Sequence, residues 1–137
     1  MKASIVSSAV AGALVWLEMT GGSPIASPAK PAISTKVLLR TSLSGDETKE
    51  VIIASAKFPP GSTTGRHTHP GDEYATVLAG TLEILVEARA SKRVSAGESY
   101  HNARNVVHEA RSVGDQAARI VSTFVIDKGQ PIMQPAN

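Results

Sequence analysis

The stretch GSTTGRHTHPGDEYATVLAG, residues 61–80, places two histidines one residue apart and a glutamate four residues after the second. The whole chain has only 4 histidines, so a pair at this spacing calls for an explanation. In an extended strand, residues two apart point to the same side, and His67 and His69 therefore project together. The sequence PGD at 70–72 favours a turn, after which Glu73 reaches the same side. The stretch predicts either a solvated polar loop or half of a metal site.

Composition limits the class of protein to which the chain belongs. Its 137 residues are enough for one domain. Aromatic residues make up only 4%, so the core must consist mainly of Val, Ile, Leu and Ala, which pack well in strands. The net charge is +2 and the basic residues are scattered, which argues against the basic patch of a nucleic-acid binder. There is no cysteine, so any metal must be held by nitrogen and oxygen.

Short apolar runs separated by turn residues fill the rest of the chain, and no window beyond the N-terminal segment has convincing helical periodicity. Leu82, Ile84 and Val86 alternate with polar residues, as expected of a strand with one face in the core. Regular spacing of such runs predicts an all-β sandwich or barrel. The predicted strands are 36–40, 51–58, 74–79, 81–88, 98–102, 106–111 and 118–126.

A third nitrogen ligand must come from another part of the chain. His108 lies in the apolar sequence NVVHEA and is the natural candidate. Three imidazoles and one carboxylate fit a divalent Fe, Mn, Ni, Cu, Co or Zn ion. A structural zinc site is disfavoured, because such sites usually contain cysteine.

The intervals in the opening stretch resemble the first motif of the cupin superfamily, with every specified position filled. The matching residues are Gly61, His67, His69, Glu73 and Gly80. A glycine, two histidines, a glutamate and a closing glycine at set intervals are rarely met by chance, whereas two histidines alone carry little weight.

The second cupin motif is matched only in part, over residues 97–112. Gly97 and His108 stand at their expected positions, after a spacer of 16 residues that follows the first motif. Ala103 replaces the usual proline, which predicts a looser turn before His108. The motif's glycine is replaced by Asn105, a mild change because asparagine tolerates left-handed backbone. Ser112 replaces the motif's asparagine.

The resemblance implies a small jelly-roll β-barrel like those of single-domain bacterial cupins, the quercetin dioxygenase-like proteins among them. It implies that His67, His69, Glu73 and His108 hold one divalent transition-metal ion. Glu73 is then a ligand, or a catalytic base whose pKa is raised by a dry pocket. Cupins commonly pair through an edge strand or an N-terminal segment, so a homodimer is implied as well.

Three functions remain open on this evidence. The first is a dioxygenase-like reaction with an enol-type substrate. The second is a non-redox isomerase, lyase or decarboxylase in which the metal polarises a carbonyl. The third is a non-catalytic module that binds a small molecule or a metal. Fold alone does not decide among them, and the pattern identifies no substrate.

Other polar and aromatic residues are interpreted as structural. His101 stands at no ligand position, and a surface location on a strand is at least as well supported as a pocket role. Tyr74 and Tyr100 are assigned to packing, although both are candidates for lining a pocket. Three charged residues are interpreted as surface or turn residues, and three aromatics carry no functional signal: Arg66, Asp72, Arg104, Trp16, Phe58 and Phe124.

The N-terminal part of the chain differs in character. Lys2 precedes an uncharged run and a stretch of small residues and prolines, the layout of a secretory signal peptide over residues 1–29. The alternative is a strand or helix of the domain. Residues 30–35 are then a linker or extended arm, 36–126 the barrel and 127–137 a tail. The mature protein is expected in the periplasm or outside the cell, without membrane attachment; without a signal peptide it is cytoplasmic.

Overall fold

Ten β-strands form all the regular structure of residues 26–137, the part of the chain that the computed structural model describes. No described segment is a helix that could span a membrane. The predicted all-β class is confirmed. The strands are β1 Ser34–Leu43, β2 Asp46–Phe58, β3 His67–Thr68, β4 Gly71–Ala79, β5 Thr81–Val86, β6 Lys92–Ser95, β7 Ser99–Asn102, β8 His108–Val113, β9 Ala118–Asp127 and β10 Gln134–Pro135.

The strands assemble into two five-stranded sheets, in which every pairing is antiparallel. One sheet has the order β1-β2-β9-β4-β7 and the other the order β10-β3-β8-β5-β6. Apart from the pairs β1-β2 and β5-β6, the neighbours are non-consecutive strands, as in a jelly roll. The first motif begins before β3 and continues through β4, so it crosses from one sheet to the other.

Alternation of buried and less buried residues explains how these strands form a core. In β9 every second side chain, from Ala118 to Ile126, is buried. The larger apolar cluster includes Val77, Leu82 and Val94, each fully buried. Burying an aliphatic side chain of this kind stabilises the fold by about 1.5–3 kcal/mol. A second cluster forms around Ile52, Phe124 and Ile126, close to the histidines.

The glycine that closes the first motif lies where two strands approach closely. Gly80 has a φ of +71°, and a Cβ at this position would lie 2.7 Å from the Cα of Ala118. Left-handed backbone and this close contact both favour glycine. The motif position therefore has a structural reason that is independent of any metal.

Three short strands were not in the predicted set. The first, His67–Thr68, lies in the histidine segment, for which an extended conformation was considered but no strand was assigned. Lys92–Ser95 lies within a polar stretch and pairs only as the edge of its sheet. Gln134–Pro135 lies in the predicted tail and pairs with β3. The domain limits stay predictions, and most of the predicted signal peptide, residues 1–25, lies outside the described residues.

Candidate metal centre

Three histidines meet inside the barrel because of strand pairing. His67 opens β3 and His108 opens β8, and the two residues are direct partners in the antiparallel ladder. His69 follows two residues after His67, so its side chain is on the same side of the segment. All three residues are buried, with exposed fractions of 3–4%.

The three imidazole rings are close enough to share one ion. Ring centroids of His67 and His108 are 4.2 Å apart, and each lies 4.9 Å from the centroid of His69. One nitrogen from each ring lies within 4.8 Å of the other two. The structure thus brings together His67, His69 and His108, which the sequence separates by up to 41 positions (108 − 67).

Backbone carbonyls fix the protonation of each ring. The Nδ1 atom of His67 lies 2.9 Å from the carbonyl oxygen of Gly65. The Nδ1 atom of His108 lies 2.9 Å from the carbonyl oxygen of Val106. The Nδ1 atom of His69 lies 2.5 Å from the carbonyl oxygen of Ile132. Because a carbonyl oxygen only accepts, each Nδ1 carries the proton and donates it. In a neutral ring the other nitrogen, Nε2, then presents a lone pair, as metal-ligating histidines do.

Two imidazole nitrogens and a carboxylate oxygen converge at the centre of this cluster. Nε2 of His69 lies 3.2 Å from Nε2 of His108. The Oε2 atom of Glu73 lies 3.4 Å from the first and 3.8 Å from the second. Acceptor atoms that converge in a buried site need a proton or a metal cation between them. The residues present therefore fit a divalent transition metal.

Glu73 is held rigidly beside the rings. It is buried, and it stands opposite Asn102 on one side and Phe124 on the other in the ladder. Nδ2 of Asn102 donates to Oε2 at 2.8 Å, and Oγ of Ser122 donates to Oε1 at 2.8 Å. Glu73 thus adjoins the three-histidine cluster, and its role as a fourth ligand stays a prediction.

Burial favours the neutral form of two of the three imidazoles. Burial lowers the pKa of His67 from 6.5 to about 4, and burial also lowers the pKa of His108. Both rings are therefore unprotonated at neutral pH, in the form that binds metals.

The expected rise in the pKa of Glu73 was wrong. Burial acts in that direction, but the interaction with His69 and the hydrogen bonds from Asn102 and Ser122 outweigh it. Together they lower the pKa of Glu73 to about 2. Hydrogen bonds to the charged form of a carboxylate favour that form, so Glu73 stays ionised.

A cavity of about 240 Å³ opens beside the histidines. Apolar side chains from both sheets dominate its wall, among them Ala56, Phe58, Ala110 and Ile120. Tyr100 also lines the cavity, so the alternative of a pocket-lining residue applies to it. Such a concave, mostly apolar space with a few converging polar groups is typical of a small-molecule site.

The remaining candidates lie away from the cavity. His101 stacks on Tyr74 at the outer surface, with ring centroids 4.8 Å apart, and it faces Asp72 at 3.2 Å. Arg104 is an exposed turn residue that pairs with Asp127. The predicted surface locations of His101, Asp72 and Arg104 are confirmed.

Sequence reasoning missed the groups that support the ligands. Asn102 and Ser122 anchor Glu73, and the carbonyl of Ile132 orients His69. Asn102 lies two residues after Tyr100 on β7, so both side chains are on one face of the strand. This spacing identifies Asn102 as a partner of Glu73 only when the strand register is known.

Comparison with known proteins finds several matches. Residues 54–124 match the cupin domain family. Germin-like protein 5-1 of Oryza sativa subsp. japonica is 32% identical over 87 residues, 60% of this chain and 39% of that protein. The beta-alanine degradation protein BauB of Pseudomonas aeruginosa is 30% identical over 79 residues, 56% of this chain and 82% of that protein.

A solved structure matches at a similar level. Oxalate oxidase in complex with the substrate analogue glycolate superposes with a TM-score of 0.55 at 27% identity, over 61% of this chain and 45% of that one. The chain spans about two fifths of the length of the plant relatives that it matches.

Proposed function

This chain belongs to the cupin domain family, and from that premise we propose that it is a metal-dependent enzyme that acts on a small organic molecule. A dioxygenase-like reaction with an enol-type substrate is the first candidate. The observation that carries the proposal is the convergence of three imidazole nitrogens beside a buried carboxylate.

The donor set defines what a bound ion would supply. His67, His69 and His108 would hold it, with Glu73 as the fourth ligand. An ion with four protein ligands in octahedral coordination keeps open positions at which it can activate substrate and dioxygen. The protein contributes the orientation of the rings, which the carbonyls of Gly65, Val106 and Ile132 fix.

The pKa of Glu73 bears on the choice of reaction. Hydrogen bonds from Asn102 and Ser122 engage both oxygens of Glu73 and favour its ionised form, whereas an efficient general base exchanges its proton readily near the working pH. We assign Glu73 to metal binding and charge balance rather than to proton abstraction. This favours a substrate that arrives already ionised, such as an enolate, over an isomerisation that needs a strong base from the protein.

A second candidate is a non-catalytic cupin that binds a metal and a small molecule. The observation in its favour is that both oxygens of Glu73 are engaged by Asn102 and Ser122, so no side chain of the described cavity is a free base. Dioxygen consumption with a panel of enols separates the two candidates. The enzyme consumes dioxygen and forms product, whereas the binding module returns the ligand unchanged.

Metal content is the primary test. Wild-type protein purified without chelator is expected to hold about one transition-metal ion per chain. His67→Ala and His108→Ala should lose most of it, while the surface variant His101→Ala should keep it. Circular dichroism checks that all three remain folded, because the apolar core does not depend on the ion. Equal metal content in wild type and the two ligand variants would refute the assignment.

Assembly and location are proposed on weaker grounds. The edge strand β1 exposes Val37, Leu38 and Leu39, each about half accessible, and edge strands are prone to pair. We propose a homodimer through this edge, which light scattering tests directly. Export to the periplasm or outside the cell is proposed from the residues 1–29 alone.

A further inference from the structure

Among the described residues, the wall of the cavity includes no lysine or arginine. Its ionisable members are the three histidines, Glu73 and Tyr100, and the remainder are apolar or neutral polar residues. With the histidines engaged by the metal, an anionic ligand in this cavity has no cationic side chain of the described wall beside it, and the metal is the cation that compensates its charge.

Charge and size together limit what the cavity accepts. A second negative charge on a ligand would lie in an apolar space with no protein partner, and unpaired buried charge is strongly disfavoured. An apolar cavity of about 150 Å³ holds a benzene molecule. The present cavity, at about 240 Å³, has room for one substituted ring or an alkyl group of similar size.

Tyr100 supplies a hydroxyl group of the wall that can recognise a ligand. Tyr100 lies on the face of β7 that it shares with Asn102, and it borders the cavity near Glu73. Burial and the charge of Glu73 raise the pKa of the Tyr100 hydroxyl well above its usual value. The hydroxyl therefore keeps its proton and acts as a donor.

We propose that the cavity selects a compound with an apolar body of about one ring and a single oxygen-bearing head, neutral or singly charged, and discriminates against dianions. The head meets the metal centre and accepts a hydrogen bond from Tyr100. This inference rests on the proposed function only in so far as the three histidines hold a metal. It concerns binding and not turnover.

The charge argument is tested by calorimetry with matched probes on the metal-containing protein as purified. Benzoate and phthalate share one ring and differ by one carboxylate, and oxalate is a dianion without a ring. Benzoate should bind at least about tenfold more tightly than either dianion, the scale of one unpaired buried group. Absence of benzoate binding, or oxalate or phthalate binding as tightly as benzoate, overturns the proposal.

A pair of variants sharpens the charge test. Val37 lines the cavity and is half exposed in the single chain, so Val37→Lys adds a cation at the mouth. The affinity for phthalate should rise severalfold relative to that for benzoate. Leu39→Lys, on the same strand, similarly exposed and outside the lining, should leave this ratio unchanged. An equal change in both variants would contradict selection by the cavity wall. Because β1 is also the edge proposed for the dimer, light scattering checks that the variants keep the wild-type oligomeric state.

The Tyr100 hydroxyl is tested by Tyr100→Phe, which keeps the ring. Metal content should stay at the wild-type level, while benzoate affinity falls about tenfold, as for a hydrogen bond to a charged group. Unchanged benzoate affinity would remove Tyr100 from the proposal. If benzoate binds as expected but no enol is turned over, the ligand class stands and the enzymatic function fails. If metal analysis refutes the ligand assignment, the proposed function fails whatever benzoate does.

Discussion

The first motif, residues 61–80, carries His67, His69 and Glu73, whereas the second, residues 97–112, contributes His108 alone. The first fills every position of the cupin pattern. The second departs at three positions, and yet its histidine lies as close to the centre as the others. The comparison shows that His108 can occupy the same position in the site although neighbouring residues of the motif have changed.

Hydrogen bonds take over the role of the missing residues in the second motif. Asn105 has a φ of +57°, so it occupies the left-handed conformation for which the motif uses glycine, as predicted. Its backbone N–H donates to the carbonyl of His69 at 3.0 Å and so joins the two motifs. Arg104 donates to the carbonyl of Pro70 at 2.9 Å and from its backbone to Asp72 at 3.1 Å.

The largest effect is expected in the first motif region, at Gly71. A Cβ at Gly71 would lie 2.0 Å from the carbonyl oxygen of Val125, so β4 and β9 would have to separate. Gly71→Ala should destabilise the protein by about 3 kcal/mol or more, measured by urea denaturation. Gly61→Ala is the control, because Gly61 has a φ of +72° but open space around it, and should cost roughly 1–2 kcal/mol. Equal losses of stability in the two variants would show that backbone conformation, and not the close approach of β4 and β9, requires glycine at position 71.

An intermediate effect is expected where the second motif region supports the first, at Asn102. Asn102→Ala removes a donor from the buried carboxylate of Glu73 and should cost about 1–3 kcal/mol of folding stability. The pKa of Glu73 should rise, which carboxyl NMR titration measures. Ser99→Ala, which affects a hydroxyl pair with Thr76 on the exposed face of the same strand, should cost less than about 0.5 kcal/mol. A result in which both variants lose the same stability contradicts the anchoring role.

The spacing of residues predicted which histidines converge but not the groups that hold the site. Motif intervals are visible in the chain, and the structure brings His67, His69 and His108 together with Glu73 beside them. The partners of Glu73 depend instead on strand register, because Asn102 and Ser122 lie 29 and 49 positions away. Nothing in the sequence states which strands are neighbours in a jelly roll.

The strands likewise divide into those that a sequence pattern predicts and those that depend on tertiary structure. Strands with clear alternation, such as 81–88, were predicted from pattern alone. β6 was missed because it is short and rich in Lys and Arg, and β10 because a two-residue strand has no periodicity at all. The tail that contains β10 nevertheless supplies the Ile132 carbonyl to His69. This contact depends on tertiary structure and has no local sequence pattern.

A smaller effect is expected at Arg104. Its guanidinium hydrogen-bonds to Pro70 and Asp127 beside the turn in which the motif's proline is missing. Arg104 and Lys49 hydrogen-bond Asp127 and lower its pKa below the usual value of 3.8. A carboxylate with a lowered pKa stabilises the fold above 3.8, and this contribution disappears as the pH falls through the native pKa. Wild type should therefore be more stable than Arg104→Ala at pH 7, and the difference should shrink as the pH falls below 3.8.

Thermal melts of both proteins along a pH series measure this difference. Arg66→Ala is the control, because it breaks an exposed pair with Glu87 that does not hold the loop before His108. Its metal affinity should match that of wild type, whereas Arg104→Ala should bind metal more weakly. A pH-independent difference between wild type and Arg104→Ala would assign the effect to packing of the side chain instead of the ion pair.

The smallest effect is expected from restoring the motif at Asn105. Asn105→Gly keeps the left-handed backbone and the N–H bond to His69, and stability should change by only a few tenths of a kcal/mol, since asparagine already adopts this conformation readily. Asn105→Val should cost more than 1–2 kcal/mol, because a β-branched residue is a true outlier at this φ. Denaturation curves and metal content of the two variants decide the point. If Asn105→Gly lost metal while Asn105→Val retained it, the asparagine side chain would have a role that left-handed geometry does not explain.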